Sequence, residues 1–298
     1  MDFTLSADDF VGGSYALGAA AVWAVASIFW RRLGDRVAPV GMNLAKGLVG
    51  LVCILAVFSF TPFTVPSLRS WLLLGASGII GIGVGDTVYF GALIRLGPRR
   101  ALLMTALIPV ATTLAAMVFL GEMLTPSDAV GAVLCVGGVT WVMFERLPED
   151  TLAHVKRGGI ALAMLFIVCE AAGYLLSKLG LEGVKPMDAL FVRMLFGVAY
   201  LVIIGSARRQ VADWLRPFWH LRSLTVLVVA SFIGTFLGMW FALEALHYTS
   251  TSRAAILSST SPIFILPLVA LLMHEKVTRR AVLGAVIAVA GVGLLMAS

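Results

Sequence analysis

The sequence predicts an all-α integral membrane protein, with ten transmembrane helices arranged as two inverted five-helix repeats. Its composition, its apolar runs and an internal repeat lead to this fold class. Of the 298 residues, 60% are hydrophobic and only 13% are charged, and the mean hydropathy is +1.00. An ordinary soluble domain has roughly 25% charged residues. The composition therefore excludes a water-soluble globular protein.

Ten apolar runs are candidate membrane spans, for which about 20 residues are needed. The runs lack the alternation of a membrane β-barrel, and lipid-facing backbone must satisfy its own hydrogen bonds, so we expect helices. In chain order, TM1 to TM10 are residues 13–30, 38–60, 71–94, 101–121, 129–144, 159–177, 188–205, 222–246, 254–273 and 281–297. No basic flank precedes TM1 and no clean cleavage site follows it, so we expect no cleaved signal peptide.

Loop residues indicate where helices begin and where the two halves meet. Thr125, Pro126 and Asp128 supply an N-cap, a first-turn proline and a first-turn acid, so the fifth helix is expected to begin there. Residues 145–158 form the most polar stretch of the chain. We interpret this stretch as the loop between a first repeat at 13–144 and a second repeat at 159–297.

The two halves share residues at a fixed offset of 153 positions. Eight coincidences within about 60 residues are difficult to attribute to chance. They are Gly81 and Gly234, Gly85 and Gly238, Arg100 and Arg253, Pro109 and Pro262, Glu122 and Glu275, Thr125 and Thr278, Gly131 and Gly284, and Gly138 and Gly291. Because each copy has five helices, the second copy enters the membrane from the opposite side.

The distribution of cations agrees with ten spans. The loops that follow TM1, TM3, TM5, TM7 and TM9 hold 16 of the 22 Lys and Arg residues, whereas the opposite side holds four and the spans hold two. Equivalent loops in the two halves have opposite bias, as inverted repeats require. By the positive-inside rule, both termini face away from the cytoplasm.

Several function classes find no support in the motifs. Cys53, Cys135 and Cys169 lie in apolar runs without metal-ligand spacing, so neither disulfides nor a zinc site is expected. His274 begins no zinc-protease motif, because Thr278 stands where the second histidine belongs. The net charge of +6 comes from loop cations that set membrane orientation. We therefore expect no enzyme, no metal, no cofactor and no nucleic-acid partner.

Two acids lie deep inside spans, where a charge costs at least about 2.5 to 3.5 kcal/mol to insert and is a functional candidate. Asp86 is near the middle of TM3 and shares a helical face with Tyr89, and Glu170 is equally deep in TM6 with Tyr174 on its face. We predict that both acids line a transport cavity and exchange protons, because desolvation disfavours the charged form of a carboxyl group. The alternative is a structural pair with an intramembrane cation.

The two intramembrane cations, Lys46 in TM2 and Arg193 in TM7, occupy equivalent places in the two halves. Besides lining the cavity or pairing with an acid, they could extend their stems to the lipid headgroups. Glu244 near the end of TM8 and Trp23 in TM1 are further candidates for substrate contact. For Trp23, which shares a face with Ser27 and Trp30, the alternative is packing in the core or in an interfacial belt.

Pro109 and Pro262 fall in the middle of the predicted TM4 and TM9, where each removes a backbone hydrogen bond and bends the helix. Neighbouring hydroxyls are expected to satisfy the freed carbonyls. They belong to Thr105, Thr112 and Thr113 in TM4 and to Ser258, Ser259, Thr260 and Ser261 in TM9. Opened backbone at matching positions predicts a site at the repeat interface, with both prolines as gating points. Glu122 and Glu275, at the ends of these helices, are expected to be hairpin structure.

Both halves carry a pattern that resembles the EamA-type domain of the drug/metabolite transporter superfamily. The pattern is Pro109, Glu122 to Thr125, Gly131 and Gly138, and again Pro262, Glu275 to Thr278, Gly284 and Gly291. The resemblance covers nearly the whole chain. It implies a ten-helix permease whose cavity is lined by helices 1 to 4 and 6 to 9, with helices 5 and 10 at the periphery. It also implies cytoplasmic termini, against the charge count, and a small or aromatic residue where Glu170 stands.

The resemblance implies a function as well as a fold. We expect a secondary-active transporter of a small metabolite, such as an amino acid or drug-like compound, that works by alternating access. Export is the expected direction and uptake is the alternative. The expected location is the inner membrane, as a monomer or homodimer in contact with membrane lipid. The alternative from a different class is a non-transporting scaffold or sensor built on a permease-like fold.

The cation distribution makes a testable prediction about orientation. A phosphatase that works only outside the cytoplasm is expected to be active when fused at residue 1 or at residue 298, because the cation-rich loops stay inside. Cytoplasmic reporters that are active at both ends would show that the predicted orientation is wrong.

Overall fold

The computed structural model describes residues 7–34, 37–96, 104–105, 107–145, 157–261, 263–264 and 279–297. This part of the chain is helical and contains no strand, which confirms the predicted all-α fold class. Six helices are long and apolar enough to cross a membrane: Ala7–Trp30, Pro39–Phe58, Leu68–Ala92, Gly158–Gly180, Pro186–Ala207 and Leu221–Tyr248. The chain is therefore a multi-pass membrane protein.

The described helices coincide with the predicted spans. TM1 is Ala7–Gly34, TM2 is Pro39–Phe58, TM6 is Arg157–Gly180 and TM7 is Pro186–Ala207. Helices at the places of TM4, TM5, TM9 and TM10 are Ile108–Phe119, Pro126–Glu145, Thr251–Ser258 and Arg279–Ala297. A short helix, Val211–Leu215, and a 3₁₀ turn, Arg216–Trp219, precede TM8. Only six of the helices in the described part of the chain have the length and hydropathy of a membrane span. The count of ten spans therefore stays a prediction.

TM3 and TM8 are each interrupted by a π-helical segment that the sequence did not predict. TM3 consists of the α-helix Leu68–Ser77, the first π segment Gly78–Gly85 and the α-helix Asp86–Leu96. TM8 consists of the α-helix Leu221–Ala230, the second π segment Ser231–Leu237 and the α-helix Gly238–Tyr248. The two segments begin 153 residues apart, at the offset of the sequence repeat. π-Helical turns are frequent at functional sites.

The first helix of each half packs on the third helix of the other half. TM1 packs along TM8, and TM6 packs along TM3. In the same way, the TM9 helix packs on TM1 and the TM4 helix packs on TM6. The main core lies between the halves and includes the fully buried side chains Leu44, Ile54, Leu190, Met194, Leu243 and Ile256. The halves are therefore interlocked, and the π segments lie at their interface.

TM5 and TM10 pack against each other through glycines at equivalent positions. A Cβ at Gly138 would lie 2.5 Å from the Ala288 nitrogen and 2.6 Å from the Gly284 carbonyl oxygen, and a Cβ at Gly291 would collide with the Cys135 nitrogen. Apolar side chains cover the exposed faces of the pair: Val130, Val133, Trp141, Val282, Leu283, Val286 and Val289. This placement agrees with the peripheral position that the resemblance implies for helices 5 and 10.

The start of TM5 confirms the N-terminal signals read from the sequence. The Thr125 hydroxyl accepts a hydrogen bond from the Asp128 N–H at 3.1 Å, and Asp128 Oδ2 accepts one from the Thr125 N–H at 3.1 Å. This reciprocal arrangement satisfies two backbone donors at the helix start. Pro126 accordingly occupies the first position of the helix.

Pro109 lies in the first turn of the helix Ile108–Phe119, which follows a turn in which the Leu107 N–H bonds the Met104 carbonyl at 3.1 Å. Met104 and Thr105, before that turn, are helical as well. The helical assignment is thus interrupted just before Pro109, where a proline lacks the N–H of a continuous helix. A gating role for Pro109 stays a prediction. Pro262 lies outside the described residues.

The hydroxyls near the two prolines behave differently in the two halves. Ser259, Thr260 and Ser261 donate to carbonyls three residues earlier at 2.7, 2.7 and 3.3 Å, in agreement with the prediction. The buried hydroxyls of Ser258, Thr112 and Thr113 donate to no backbone carbonyl in the described part of the chain, against the prediction.

The glycine contact between TM5 and TM10 predicts a stability difference between neighbouring positions. Gly138→Ala is expected to lower the free energy of unfolding by about 1 to 3 kcal/mol, because the new Cβ overpacks the TM10 backbone. Gly137→Ala is the matched control, since a Cβ there has no atom within 4 Å and alanine favours the helix over glycine. Thermal unfolding in detergent measures both. A Gly138→Ala protein as stable as the Gly137→Ala protein would contradict the described contact.

Candidate substrate and coupling site

Lys46 and Asp86 form an ion pair inside the first half. Lys46 Nζ lies 2.6 Å from Asp86 Oδ2, and the two side chains are only 10% and 17% exposed. Asp86 begins the α-helix that follows the first π segment, and the Phe90 ring lies 5.6 Å from Lys46 Nζ. Pairing, one of the two alternatives for Asp86, is thus the arrangement that the structure shows. Lys46 does not extend to the lipid headgroups.

Asn43 is a buried polar residue of this region that escaped the sequence-based prediction. Its Nδ2 donates to the Ile82 carbonyl at 2.8 Å and lies 3.3 Å from Thr87 Oγ1. These bonds fasten TM2 to the first π segment three residues before Lys46, on the same helical face. An amide within the apolar run of TM2 is the signal that could have found it, because intramembrane polar groups need partners.

Glu170 and Arg193 face the same glycine of the first π segment without bonding each other. A Cβ at Gly81 would lie 3.5 Å from Arg193 Nη2 and 4.0 Å from Glu170 Oε1, and a Cβ at Gly85 would lie 3.6 Å from that oxygen. Within the described part of the chain, the Glu170 carboxylate has no hydrogen bond or ion pair, and the buried Arg193 Nε has no hydrogen-bond partner. Glycine at both positions lets the backbone of TM3 approach the Glu170 side chain closely.

The four charged side chains form one cluster. The Glu170 carboxylate lies within electrostatic range of Asp86, Arg193 and Lys46. Two cations and two acids give a neutral cluster when all four are charged, so each charge is partly compensated although only one pair is in contact. The structure thus brings together the two deep acids and the two intramembrane cations that the sequence singled out.

Two tyrosines border the cluster. Tyr89 faces Asp86, and its ring packs on Phe166 at a centroid distance of 4.8 Å. Tyr174 faces Glu170 and Arg193. We predicted that each acid shares a helical face with the tyrosine that follows it, and the structure is compatible with this prediction. Aromatic walls of this kind exclude water and strengthen electrostatic interactions.

Trp23 occupies in the first half the place that Glu170 occupies in the second. The Trp23 indole packs over Gly238 of TM8, while Ala26 and Trp30 of the same helix pack over Gly234. These two glycines are the repeat equivalents of the glycines that face Glu170. The Trp23 Nε1 donates to the Gly234 carbonyl at 2.9 Å. An ionised carboxylate has no proton to donate in this way. The two halves therefore share a backbone design but differ in chemistry, aromatic in one half and acidic in the other.

Glu244 does not join the cluster. Its Oε1 accepts a hydrogen bond from Trp240 Nε1 at 2.8 Å, and its charge faces Tyr15 of TM1. The tryptophan that satisfies Glu244 lies one turn earlier on the same helix, so this acid has a local partner. Its predicted contact with substrate stays a prediction.

Glu122 caps a helix of the other half and does not close its own hairpin. Its carboxylate accepts hydrogen bonds from the Thr251 N–H at 2.8 Å, the Ser252 N–H at 3.0 Å and the Ser252 hydroxyl at 2.8 Å. Burial alone would raise the pKa of Glu122, but the hydrogen bonds from Ser252 and Thr251 outweigh it and lower the pKa. A structural role for Glu122 agrees with the prediction. Its partners, however, are Thr251 and Ser252 of the other half and not residues of its own hairpin. Glu275 lies outside the described residues.

Arg253 ties three helices together at the same end of the molecule. Its Nη2 lies 2.9 Å from Asp128 Oδ1 at the start of TM5, and its Nη1 lies 3.4 Å from Asp9 Oδ2 at the start of TM1. Asp9 also accepts a hydrogen bond from the Thr249 hydroxyl at 2.7 Å. Together with the hydrogen bonds of Glu122, these contacts hold the starts of TM1, TM5 and TM9 together.

Comparisons with known proteins agree with this architecture. The sequence profile of the EamA-like transporter family matches residues 10–144 and 157–297. The chain belongs to the EamA-like transporter family. It is therefore a membrane transporter, and the resemblance drawn from the two proline and Glu-x-x-Thr patterns is confirmed.

Relatives of this EamA-like transporter cover nearly the whole chain. A protein of Archaeoglobus fulgidus named an uncharacterized transporter is 24% identical over 284 residues, which are 94% of this chain and 96% of that protein. One solved crystal structure, described only as that of a protein, superposes with a TM-score of 0.76 at 16% sequence identity and covers 98% of both chains. That likeness shows the shared fold.

The contacts of Glu122 predict a loss of stability that depends on pH. Glu122→Ala is expected to lower the free energy of unfolding by about 1 to 2 kcal/mol, as removal of a helix cap does. Because its pKa is lowered in the folded state, the contribution is present above the unfolded value of about 4.3 and is lost as the pH falls through the lower folded value. Denaturant unfolding at neutral and acidic pH measures it.

Glu182→Ala is the control for this experiment. Glu182 pairs with Arg69 at 2.9 Å, but the two side chains are 65% and 67% exposed, so its removal is expected to change little. A Glu122→Ala effect no larger than the Glu182→Ala effect, or one that does not shrink at acidic pH, would contradict the capping role.

Proposed function

We propose that this transporter is a secondary-active exporter of a small metabolite and that it works by alternating access in the inner membrane. The observation that carries the proposal is the state of the four charges. Lys46 and Asp86 are in contact, whereas Glu170 and Arg193 present opposite charges across Gly81 with no partner in contact. A carboxylate and a guanidinium that do not pair with each other are available to a ligand.

The arrangement favours a substrate that carries both a cation and an anion. An ammonium group would satisfy Glu170 and a carboxylate would satisfy Arg193, with the tyrosines as apolar walls. An amino acid has these two groups on one carbon atom. Among small metabolites and drug-like compounds, this matches amino acids better than purely cationic drugs, for which Arg193 would be repulsive.

Proton exchange at Glu170 would couple transport to the proton gradient. A half-buried carboxylate that lacks a contacting cation can accept a proton in place of a substrate ammonium group, whereas Asp86 is in contact with Lys46. Substrate binding from one side would then release the proton, and protonation from the other side would release the substrate. One proton entering for each substrate leaving is the exchange that an exporter needs.

Inverted repeats supply the conformational part of the proposal. The π segments of TM3 and TM8 lie at equivalent positions in opposite halves, and discontinuous helices at a repeat interface are typical of alternating-access sites. The contacts of Arg253 and Glu122 join the starts of TM1, TM5 and TM9 at one end of the bundle. Opening that end would require these contacts to separate.

The proposal is tested by flux in proteoliposomes after a thermal-shift screen of amino acids, nucleosides and cationic drugs. Glu170→Gln is expected to abolish accumulation driven by a proton gradient but to retain exchange of substrate for substrate, since the neutral amide cannot release a proton. Wild-type pH dependence in Glu170→Gln would refute the coupling role. Absence of flux for every compound that stabilises the protein would favour the scaffold or sensor alternative.

The contact between Lys46 and Asp86 predicts a different result for the second acid. Asp86→Asn is expected to lower stability by about 3 to 5 kcal/mol, because it leaves the Lys46 charge buried without a partner. The double variant Lys46→Met with Asp86→Leu is the control and is expected to regain most of that stability. A well-folded Asp86→Asn protein that loses proton coupling would instead assign the coupling role to Asp86.

A further inference from the structure

An apolar groove lies between TM2, TM8 and the linker that precedes TM8. Its volume is about 570 Å³, within the range of ligand pockets. TM2 contributes Ala45, Leu48 and Val49, TM8 contributes Leu224 and Leu227, and the turn before TM8 contributes Trp219. Every lining residue is apolar, so the groove suits a hydrocarbon chain and offers nothing to the polar substrate proposed above.

The linker that precedes TM8 is fixed on its inner side and apolar at its outer edge. Trp214 and Phe218 are only 9% and 5% exposed, and Trp214 packs against Gly41 of TM2 and Gly205 of TM7. Trp219, in contrast, is 76% exposed at the edge of the groove. A rigid, exposed tryptophan at this place is typical of the boundary between lipid tails and headgroups.

Four exposed arginines surround this tryptophan in the sequence, with no ion pair among the described residues: Arg208, Arg209, Arg216 and Arg222. Arg216 and Arg222 each lie three residues from Trp219. The equivalent loop of the first half, residues 59–67, has no Lys or Arg. Unpaired cations next to an apolar groove are complementary to a lipid whose headgroup is negative.

The groove extends about one turn along each helix. Its lining runs from Ala45 to Val49 on TM2 and from Leu224 to Leu227 on TM8, which is about 5 to 6 Å at the rise of an α-helix. The groove therefore holds a short segment of an acyl chain next to Trp219.

We propose that this groove binds an anionic phospholipid, with one acyl chain between TM2 and TM8 and the headgroup phosphate at Arg216 and Arg222. Ala45 adjoins Lys46 in the chain, so an occupied groove would support the segment of TM2 that holds the ion pair with Asp86. The inference concerns a lipid site and does not depend on the identity of the transported substrate.

The test is native mass spectrometry of the purified full-length protein in neutral detergent, titrated with phosphatidylglycerol or with phosphatidylcholine of the same chains. The wild-type protein is expected to retain phosphatidylglycerol preferentially. The double variant Arg216→Gln and Arg222→Gln is expected to lose roughly tenfold or more in phosphatidylglycerol affinity. The matched control is Arg279→Gln with Arg280→Gln, two exposed arginines at the start of TM10.

A second pair of variants tests the groove itself. Leu224→Trp fills the groove and is expected to reduce lipid retention, whereas Leu221→Trp, at a residue that is 79% exposed and outside the lining, is expected to leave it unchanged. Equal binding of both lipids, or equal losses in the two arginine double variants, would overturn the proposal. Retention that is unaffected by Leu224→Trp would show that the lipid binds outside the groove and would also overturn it.

Discussion

Charge compensation in a low-dielectric interior is the constraint on which this site depends. Lys46 and Asp86 meet it by direct contact at 2.6 Å, which leaves the first half with a fixed and satisfied pair. Glu170 and Arg193 meet it only through space, across the position of Gly81. A buried charge without a contacting partner is costly unless a ligand or a proton completes it. The second half therefore carries the reactive part of the cluster and the first half carries its support.

The π segments explain how the helices can approach closely enough for this cluster to form. Glycines in the first segment let TM6 and TM7 come within contact distance of TM3, where a side chain on Gly78 would collide with the Arg193 carbonyl. The second segment receives Trp23 of TM1 in the equivalent manner. Each segment thus joins one half to the other. Replacement of the indole by a carboxylate at the equivalent place is what gives the repeat its functional asymmetry.

Much of the fold could be predicted from the sequence because hydropathy and charge act over whole segments. The apolar runs, the start of TM5 at Thr125 and Pro126, and the shared offset of 153 residues all rest on such signals, and the family match supports them. The four intramembrane charges were visible as well, since any charge stands out within an apolar run. Their pairing could not be predicted, because the sequence does not specify which cation contacts which acid.

The features that escaped prediction depend on backbone geometry and on contacts between distant residues. The first π segment contains four glycines and the second contains one, Gly234, but hydropathy treats both stretches as ordinary helix. Glu122 bonds residues 129 and 130 positions away, which local spacing does not reveal. Asn43 donates a hydrogen bond to a carbonyl of another helix, and the sequence does not show which helix lies next to it.

Infrared difference spectroscopy tests most directly whether Glu170 is the group that exchanges a proton. The wild-type protein in a bilayer is expected to show the carbonyl band of a protonated carboxyl group, and this band is expected to disappear when the pH is raised or substrate is added. Glu170→Gln is expected to lack the band, whereas the Lys46→Met and Asp86→Leu double variant is expected to keep it. A pH-sensitive carboxyl band that persists unchanged in Glu170→Gln would contradict this account.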